Sequence, residues 1–385
     1  MADKQPVFDY ASSAPWAEVV AAYGSCDDVN RAVEAMVADG TTKDECWEAI
    51  WDHEVRRFET DPEFRDDVRH IYETAGVDLI SVTPWTHEAC VSERAGQRRD
   101  LARWQARFDA AEWLRKVTSP QEARDVSENG DVGVVLNTQN VGGAIDSLDD
   151  VDVLYNEGVR IFQLTYNEQN RLGTGCNDPS EGGLSAFGRA AVDRINELGG
   201  VVDVSHCGTR TTLDAIEYSD EPVAVTHATC QAVSPHYRGK SDTELRALAE
   251  ADGYVGIVAL PWFIAPERDD PTLDVFVEHL NHARSILGAD NVGLGTDFYP
   301  ADVKFPTALL DYYEGHIVDL GFDEEKVKQR NIASGIGEFR TYEDWPVVQE
   351  TLEERFDATA AHGILGDNFL QFWGRSTTST HSSHS

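Results

Sequence analysis

The sequence predicts an α/β protein, a TIM-type (β/α)8 barrel with helical insertions. Short apolar runs rich in β-branched residues recur along the chain, segments with helical periodicity separate them, and 385 residues are enough for one barrel with additions. The predicted strands cover residues 6–10, 77–82, 132–137, 159–164, 201–204, 222–225, 254–260 and 292–295. We therefore expect a single barrel domain over residues 1–375.

Helical patterns fill the segments between the predicted strands. Residues from about 17 to 72 are charged and helical in period, which predicts a helical insertion over the barrel mouth. Residues 98–116 predict another amphipathic helix, and the helical pattern returns over 322–373. The Ser/Thr/His run over 376–385 is too polar to pack, so we expect a disordered tail there.

The charge of the chain is strongly acidic. Asp and Glu number 69 against 32 Lys and Arg, which gives a net charge of -37, and arginine supplies most of the cations. This composition is typical of a halophilic surface and a high-salt cytoplasm, because such a shell repels itself when salt is low. It argues against nucleic acids and anionic membranes as partners. It leaves open whether the chain forms a homodimer.

Cysteine usage and the N-terminal sequence predict a cytoplasmic protein. The six cysteines lack CxxC spacing, the first residues lack the basic start and apolar run of an export signal, and no apolar stretch approaches the roughly 20 residues of a membrane span. Cys207 and Cys230 each lie close to a histidine of interest, so they are either soft metal ligands or small buried packing residues. Packing is the favoured interpretation.

Polar residues at three predicted strand ends point to a metal site. His206, His227 and Asp297 each follow a predicted strand, and barrel enzymes build their sites from the carboxyl ends of strands. Two imidazoles and a carboxylate form a ligand set that zinc favours, with a position left for water. Asp297 has three roles open to it, as a ligand, as a general base, or as a cap of the following turn. Either histidine taken singly is more often structural.

Several motifs in register resemble the membrane (renal) dipeptidase family, peptidase family M19. They are Val202-Asp-Val-Ser-His-Cys-Gly-Thr-Arg, Pro222-Val-Ala-Val-Thr-His, Arg238 and Gly293-Leu-Gly-Thr-Asp, with Gly158-Val-Arg-Ile-Phe-Gln-Leu-Thr-Tyr-Asn upstream and Ile364-Leu-Gly-Asp-Asn-Phe-Leu near the end. The resemblance covers residues from about 132 to 373. It implies an amidohydrolase-like barrel and a zinc-dependent hydrolase of dipeptides, with two metals bridged by a glutamate.

The chain departs from that family at its metal positions. The family's first strand ends in His-x-Asp, and the matching positions here carry Ala11 and Ser13. The bridging glutamate falls on Gln139, and the histidine that contacts substrate falls on Tyr166. Two neighbouring divalent ions need anionic ligands between them, and a neutral amide does not supply that charge. Asp9 and His87 are further candidates for a replacement ligand.

We therefore predict one divalent ion, zinc or alternatively manganese or iron, on His206 and His227, completed by Asp297 or Gln139. In this hypothesis Asp297 is the base, and the Tyr166 hydroxyl faces the oxyanion and the substrate. The same hypothesis gives Arg238 the substrate carboxylate, which an arginine binds through paired hydrogen bonds; the alternative is a surface cation in a strongly acidic protein. Asn167, like the neighbouring Asn170, either contacts the substrate or makes a turn.

Three functions remain open from the sequence. The first is a metal-dependent hydrolase that cleaves a dipeptide or a related small amide. The second keeps the barrel and the metal but hydrolyses another small amide or a lactone. The third is a catalytically silent protein that binds a carboxylated small molecule, because three of the family's metal positions are substituted.

Overall fold

The computed structural model describes residues 5–10, 27–84, 94–180, 182–266, 271–297, 315, 318, 321–325 and 335–378. Eight parallel strands follow one another around a nearly closed barrel, and a ninth short strand pairs with one of them outside that path. The strands are β1 Phe8–Asp9, β2 Leu79–Val82, β3 Leu114–Lys116, β4 Val132–Thr138, β5 Val159–Gln163, β6 Val201–Asp203, β7 Ala224–Ala228, β8 Tyr254–Ile257 and β9 Val292–Leu294. The order around the barrel omits only β3, which pairs with β4. The (β/α)8 prediction is confirmed.

Helices surround the barrel and connect its strands. They are α1 Asp27–Ala38, α2 Lys43–Thr60, α3 Pro62–Ala75, α4 Arg94–Ala110, α5 Pro120–Asn129, α6 Val141–Ala144, α7 Asp149–Glu157, α8 Ala186–Leu198, α9 Thr209–Tyr218, α10 Asp242–Glu250, α11 Pro261–Ile264, α12 Leu273–Leu287, α13 Trp345–Arg355, α14 Ala358–His362 and α15 Asn368–Thr378. A 3-10 turn, Tyr342–Asp344, precedes α13, and a π-helical turn, Gly363–Asp367, joins α14 to α15.

The strands alternate between an outer and an inner apolar surface. Residues such as Val134, Phe162 and Val202 pack outward against the helices. Their neighbours one position away form a second cluster inside the barrel with Phe369, Phe372 and Trp373 of α15. This period of two is what strand geometry dictates. Gly366 lies against the backbone of Pro6, just before β1, so α15 closes the end of the barrel where the strands begin.

Two residues further along the strands the barrel interior becomes polar. The side chains at this level are Ser81, Asn137, Gln163, Asp203 and Thr226, all of them buried. Asn137 bonds the Ser81 hydroxyl at 2.8 Å, and Gln163 pairs with Asp203 in the β5–β6 register. The barrel interior is therefore apolar near the start of the strands and polar nearer their carboxyl ends. The carboxyl ends are the place for a functional site.

Side-chain and backbone hydrogen bonds connect the residues that follow the last strand of the barrel to the first strand and the residue after it. The Asp9 carboxylate accepts from the Thr296 backbone N–H at 3.2 Å and from its hydroxyl at 2.6 Å. The Asp297 N–H donates to the Tyr10 carbonyl at 3.3 Å. Asp9 is fully buried, and its Oδ1 is committed to this closure.

The structure corrects two sequence-based boundaries. The helix expected over 98–116 ends at Ala110, and Leu114–Lys116 form β3, because the first residues of β4 pair with them before β5 begins to pair at Leu136. The expected tail over 376–385 begins too early, because α15 continues to Thr378 and buries Ser376. The predicted insertion over about 17–72 falls in the region that holds α1, α2 and most of α3, with residues 11–26 outside the described part.

Candidate active site

The two histidines predicted to bind a metal lie face to face at the carboxyl ends of β6 and β7. His206 Nε2 is 3.0 Å from His227 Nε2, and both rings are buried. The Tyr166 ring stacks on His206 with centroids 4.3 Å apart, and Tyr10 stacks on His227 at 5.6 Å. The aromatic neighbours fix both imidazole planes, so the short separation is a property of the packed site.

Asn167 holds the outer nitrogen of His206. Its Oδ1 lies 2.7 Å from His206 Nδ1, and because that oxygen only accepts, the ring nitrogen carries the proton. Asn167 is buried with a left-handed backbone (φ 56°), and Gly175 packs so closely on its backbone that a Cβ at Gly175 would lie 2.2 Å from the Asn167 carbonyl carbon. The side chain predicted to contact substrate therefore orients a histidine.

His227 is held from below by the polar layer. Its Nδ1 lies 3.0 Å from Thr226 Oγ1, and the Thr226 hydroxyl donates to the Asp203 carboxylate. Burial lowers the pKa of His227 well below its ordinary value, and the charges of Arg238 and Lys240 act in the same direction. Its imidazole is therefore neutral, the form that binds a metal.

Two buried cations support the backbone around the histidines. Arg238 donates to the Ser205 carbonyl at 2.8 Å and to the His227 carbonyl at 3.0 Å. Lys240 donates to the Cys207 carbonyl at 2.9 Å and lies 3.5 Å from Glu244. Arg238 therefore braces the two histidine segments with two of its five N–H donors.

The hydrogen-bond network leaves both inner nitrogens, His206 Nε2 and His227 Nε2, as lone-pair donors. Each ring carries its proton on Nδ1, towards Asn167 in one case and Thr226 in the other. Two lone pairs 3.0 Å apart repel unless a metal cation or a shared proton lies between them. Two imidazoles on one tetrahedral zinc, each at roughly 2.0–2.1 Å, have nitrogens about 3.3 Å apart. The pair therefore fits two ligand positions of one divalent ion.

Asp297 does not join the histidines in a three-ligand set. In the described part of the chain no group of three or more His, Cys, Asp or Glu side chains is arranged to hold a metal. Asp297 has a left-handed backbone (φ 50°) with its N–H engaged in barrel closure. Burial raises the pKa of its carboxyl to about 6, with Arg238 opposing the rise. A carboxyl that titrates near neutrality is suited to proton transfer.

Gln139 lies directly after β4, above the polar layer. Its side chain is buried, and its backbone carbonyl oxygen accepts a hydrogen bond from Gln163 Nε2 at 2.5 Å. Gln163 also donates to the Thr165 carbonyl at 3.0 Å, which leaves its buried Oε1 without a hydrogen-bond partner among the described residues. Asn170 makes a turn, because its Oδ1 accepts from Leu172 N and Gly173 N.

The remaining candidates divide into packing residues and undescribed positions. Cys207 is buried and accepts from the Thr165 hydroxyl at 3.2 Å, and Cys230 packs against His279, which favours the packing interpretation for both. Ala11, Ser13 and His87 lie outside the described residues.

Sequence reasoning missed the residues that orient the histidines. The sequence-based prediction gives Asp203, Ser205 and Thr226 no role at the site, although each lies one or three positions before a histidine. A polar residue inside an otherwise apolar buried strand was the available signal, because a buried polar group must have a partner.

The chain matches the family model of membrane dipeptidases (peptidase family M19) over residues 80–313. The chain belongs to the membrane dipeptidase family. It is 30% identical to a protein encoded in the pqqA 5' region of Klebsiella pneumoniae, over 48% of this chain and 72% of that protein. It is 32% identical to an uncharacterized dipeptidase of Schizosaccharomyces pombe, over 44% of this chain and only 42% of that protein.

A solved structure extends the likeness over most of the fold. The crystal structure of an amidohydrolase from Pseudomonas aeruginosa is similar with a TM-score of 0.70 and 26% identity, over 81% of this chain and 93% of that one. Membership of the M19 family identifies the chain as a metallopeptidase relative. In the described part of the chain, no helix combines the length and apolar character needed to cross a membrane.

Proposed function

We propose that the chain is a metal-dependent hydrolase of the membrane dipeptidase type that cleaves a dipeptide or a related small amide. The observation that carries the proposal is the 3.0 Å approach of His206 Nε2 to His227 Nε2, with each Nδ1–H donating to its partner, Asn167 or Thr226. M19 membership supports the same reaction class. Zinc is the proposed ion, and one ion suits the two imidazoles found here.

A divalent ion at this pair would supply a water of lowered pKa and polarise the substrate carbonyl. Asp297 takes the proton of the attacking water, since its pKa of about 6 makes the carboxylate available near neutral pH. Tyr166, stacked on His206 and partly exposed, presents its phenol to the developing negative charge. Arg238 keeps donors beyond those that brace the backbone, and recognition of a substrate carboxylate is assigned to it as part of the proposal.

Substitution of His206 tests the reaction. We expect His206→Ala to abolish hydrolysis of dipeptides and to retain the fold by circular dichroism, because the variant removes one of the two ligands. The control is His282→Ala, since His282 pairs with Asp242 on the outer helices. A panel of dipeptides, N-acyl amino acids and lactones identifies the bond that is cut. Unchanged activity in His206→Ala would remove the ion from the mechanism.

A second function is favoured by one observation, the missing third ligand among the described residues. In that case the protein binds a carboxylated small molecule without cutting it. Elemental analysis after purification in high salt decides, because a catalytic zinc normally stays bound. Below about 0.2 ion per chain the silent binder is supported.

A further inference from the structure

The Asp203 carboxylate is the centre of the polar layer beneath the histidines. It is fully buried and accepts from five donors. Oδ1 receives Ser205 N at 2.9 Å, Ser205 Oγ at 2.5 Å and Thr226 N at 3.2 Å, and Oδ2 receives Thr226 Oγ1 and, at 3.3 Å, Tyr10 OH. Burial raises the pKa of this carboxyl above its ordinary value, and the hydrogen bonds from Ser205 and Thr226 oppose that rise by favouring the ionised form.

The hydroxyl of Thr226 transmits this arrangement to His227. A threonine hydroxyl has one hydrogen, and here it points to Asp203 Oδ2. Its lone pairs then face His227 Nδ1 at 3.0 Å, so that nitrogen must donate. Ser205 Oγ, which accepts from the His227 backbone N–H at 3.1 Å, fixes the same residue from its main chain.

We propose that Asp203 and Thr226 are positioning residues that form a hydroxyl relay, and that this relay sets the tautomer of His227 and keeps its Nε2 lone pair directed at His206. The tautomer follows from the hydrogen bonds alone. Its consequence for zinc affinity rests on the proposed function, in which an already correct Nε2 binds the ion without a proton shift.

The Asp203→Asn substitution should turn the hydroxyl hydrogen of Thr226 away from residue 203. In Asp203→Asn the backbone N–H groups of Ser205 and Thr226 still require an acceptor at the Oδ1 position. The amide nitrogen must therefore occupy the Oδ2 position and donate to Thr226 Oγ1. The Thr226 hydrogen then turns to His227 Nδ1 or to Ser205 Oγ, each 3.0 Å from Thr226 Oγ1, and in the first case the ring proton moves to Nε2 and blocks the lone pair.

The test measures the tautomer of His227 by long-range 1H–15N NMR on metal-free protein carrying 15N-labelled histidine, with His227→Gln to assign the signals. We expect the Nδ1–H form in the unmodified protein and in Thr226→Ser, which keeps the hydroxyl. We expect Asp203→Asn to populate the Nε2–H form, which the unmodified protein should lack. Thr226→Val, which keeps the shape without the hydroxyl, should lose the preference.

Zinc titration by calorimetry on the same proteins gives the second readout. Loss of a residue that orients a metal-binding histidine typically weakens binding by about 10- to 100-fold, which is the expected effect of Thr226→Val and Asp203→Asn. Thr226→Ser should stay within roughly threefold of the unmodified protein. Folding of each variant is checked by circular dichroism, and Thr226→Val tests the relay even where Asp203→Asn does not fold.

The outcomes separate the relay from the hydrolase. An Nε2–H form in the unmodified protein, or an unchanged Nδ1–H form in both Thr226→Val and Asp203→Asn, overturns the relay. The expected tautomers in a protein that takes up no zinc support the relay and reject the metal-dependent hydrolase.

Discussion

The immediate surroundings of each site residue determine whether it is a neutral ligand or a group that exchanges protons near neutral pH. His227 lies between buried cations and a hydroxyl, and it is held neutral. Asp297 keeps partial exposure, yet burial of its carboxyl raises its pKa to about 6. A neutral ligand beside a carboxyl that titrates near neutrality is the division of labour that hydrolysis by activated water requires.

Asp297→Asn should separate activity from stability. As general base the carboxylate is needed, so kcat/KM of the unmodified enzyme should fall as pH drops through about 6. The variant should lose about 100- to 10,000-fold in rate. A raised folded-state pKa means that the carboxyl costs stability as pH rises from the unfolded value to about 6, so the variant should melt higher at pH 7.5 than the unmodified protein and gain less at pH 4. The same acid limb in Asp297→Asn would contradict the assignment.

Gly175 determines where Asn167 can stand. A Cβ there would lie 2.2 and 2.3 Å from the Asn167 carbonyl carbon and oxygen, atoms that cannot rotate away. We expect Gly175→Ala to cost about 1–3 kcal/mol of unfolding free energy and to weaken zinc binding, because Asn167 is displaced from His206. Gly374→Ala, with nothing within 4 Å of the added carbon, is the control. Denaturant unfolding and calorimetry measure both effects, and equal behaviour of the two variants would refute the argument.

At the scale of elements, buried ion pairs join α4 to α2 of the insertion. Arg107 pairs with Glu54 with both side chains almost fully buried, and Arg103 contacts Glu48 and Asp52. α4 also reaches the barrel, where Gln97 donates to the Thr138 hydroxyl at 2.6 Å. The insertion is therefore attached through a charged interface, which fixes the helices in one arrangement but tolerates little change.

Removal of one partner from this interface should be far more costly than removal of a surface pair. Arg107→Met leaves the Glu54 charge buried and unpaired, and we expect a loss of about 3–5 kcal/mol. Arg69→Met breaks the exposed Arg69–Glu73 pair and should cost less than about 1 kcal/mol. Urea unfolding of both variants measures the difference. Recovery of stability in the Glu54→Leu/Arg107→Met double variant would confirm that the unpaired charge is the cause.

At the scale of the whole molecule, the net charge controls how stability depends on salt. A net charge of -37 on one barrel produces a repulsion that only counterions relieve. The screening length falls from about 10 Å in 0.1 M salt to about 3 Å in 1 M salt, so a salt-dependent stability is the expected property.

The melting temperature should therefore rise between 0.1 and 2 M KCl, because counterions screen the repulsion among the surface carboxylates. NaCl at the same concentration should act alike, because screening depends on ionic strength. Sucrose of equal osmolality is the control and should not reproduce the gain. Full stability in salt-free buffer would contradict a halophilic surface.

The sequence by itself determined the barrel, because the hydrophobic periodicity and the number of strands can be read from local segments without knowledge of tertiary contacts. It also pointed to His206 and His227, since residues that follow parallel strands converge at one end of a barrel. The membrane dipeptidase motifs around them indicated the family.

Only the tertiary structure decided how these groups work. Asp203, Thr226 and Asn167 lie on strands and loops up to 59 positions apart in the chain, and their role appears only when the hydrogen bonds that link them to the histidines are known. The tautomers and the pKa of Asp297 depend on burial and on partners from other strands, which no local pattern records. Hydrogen bonding and desolvation are set by the packed neighbours of a group, and sequence spacing does not specify those neighbours.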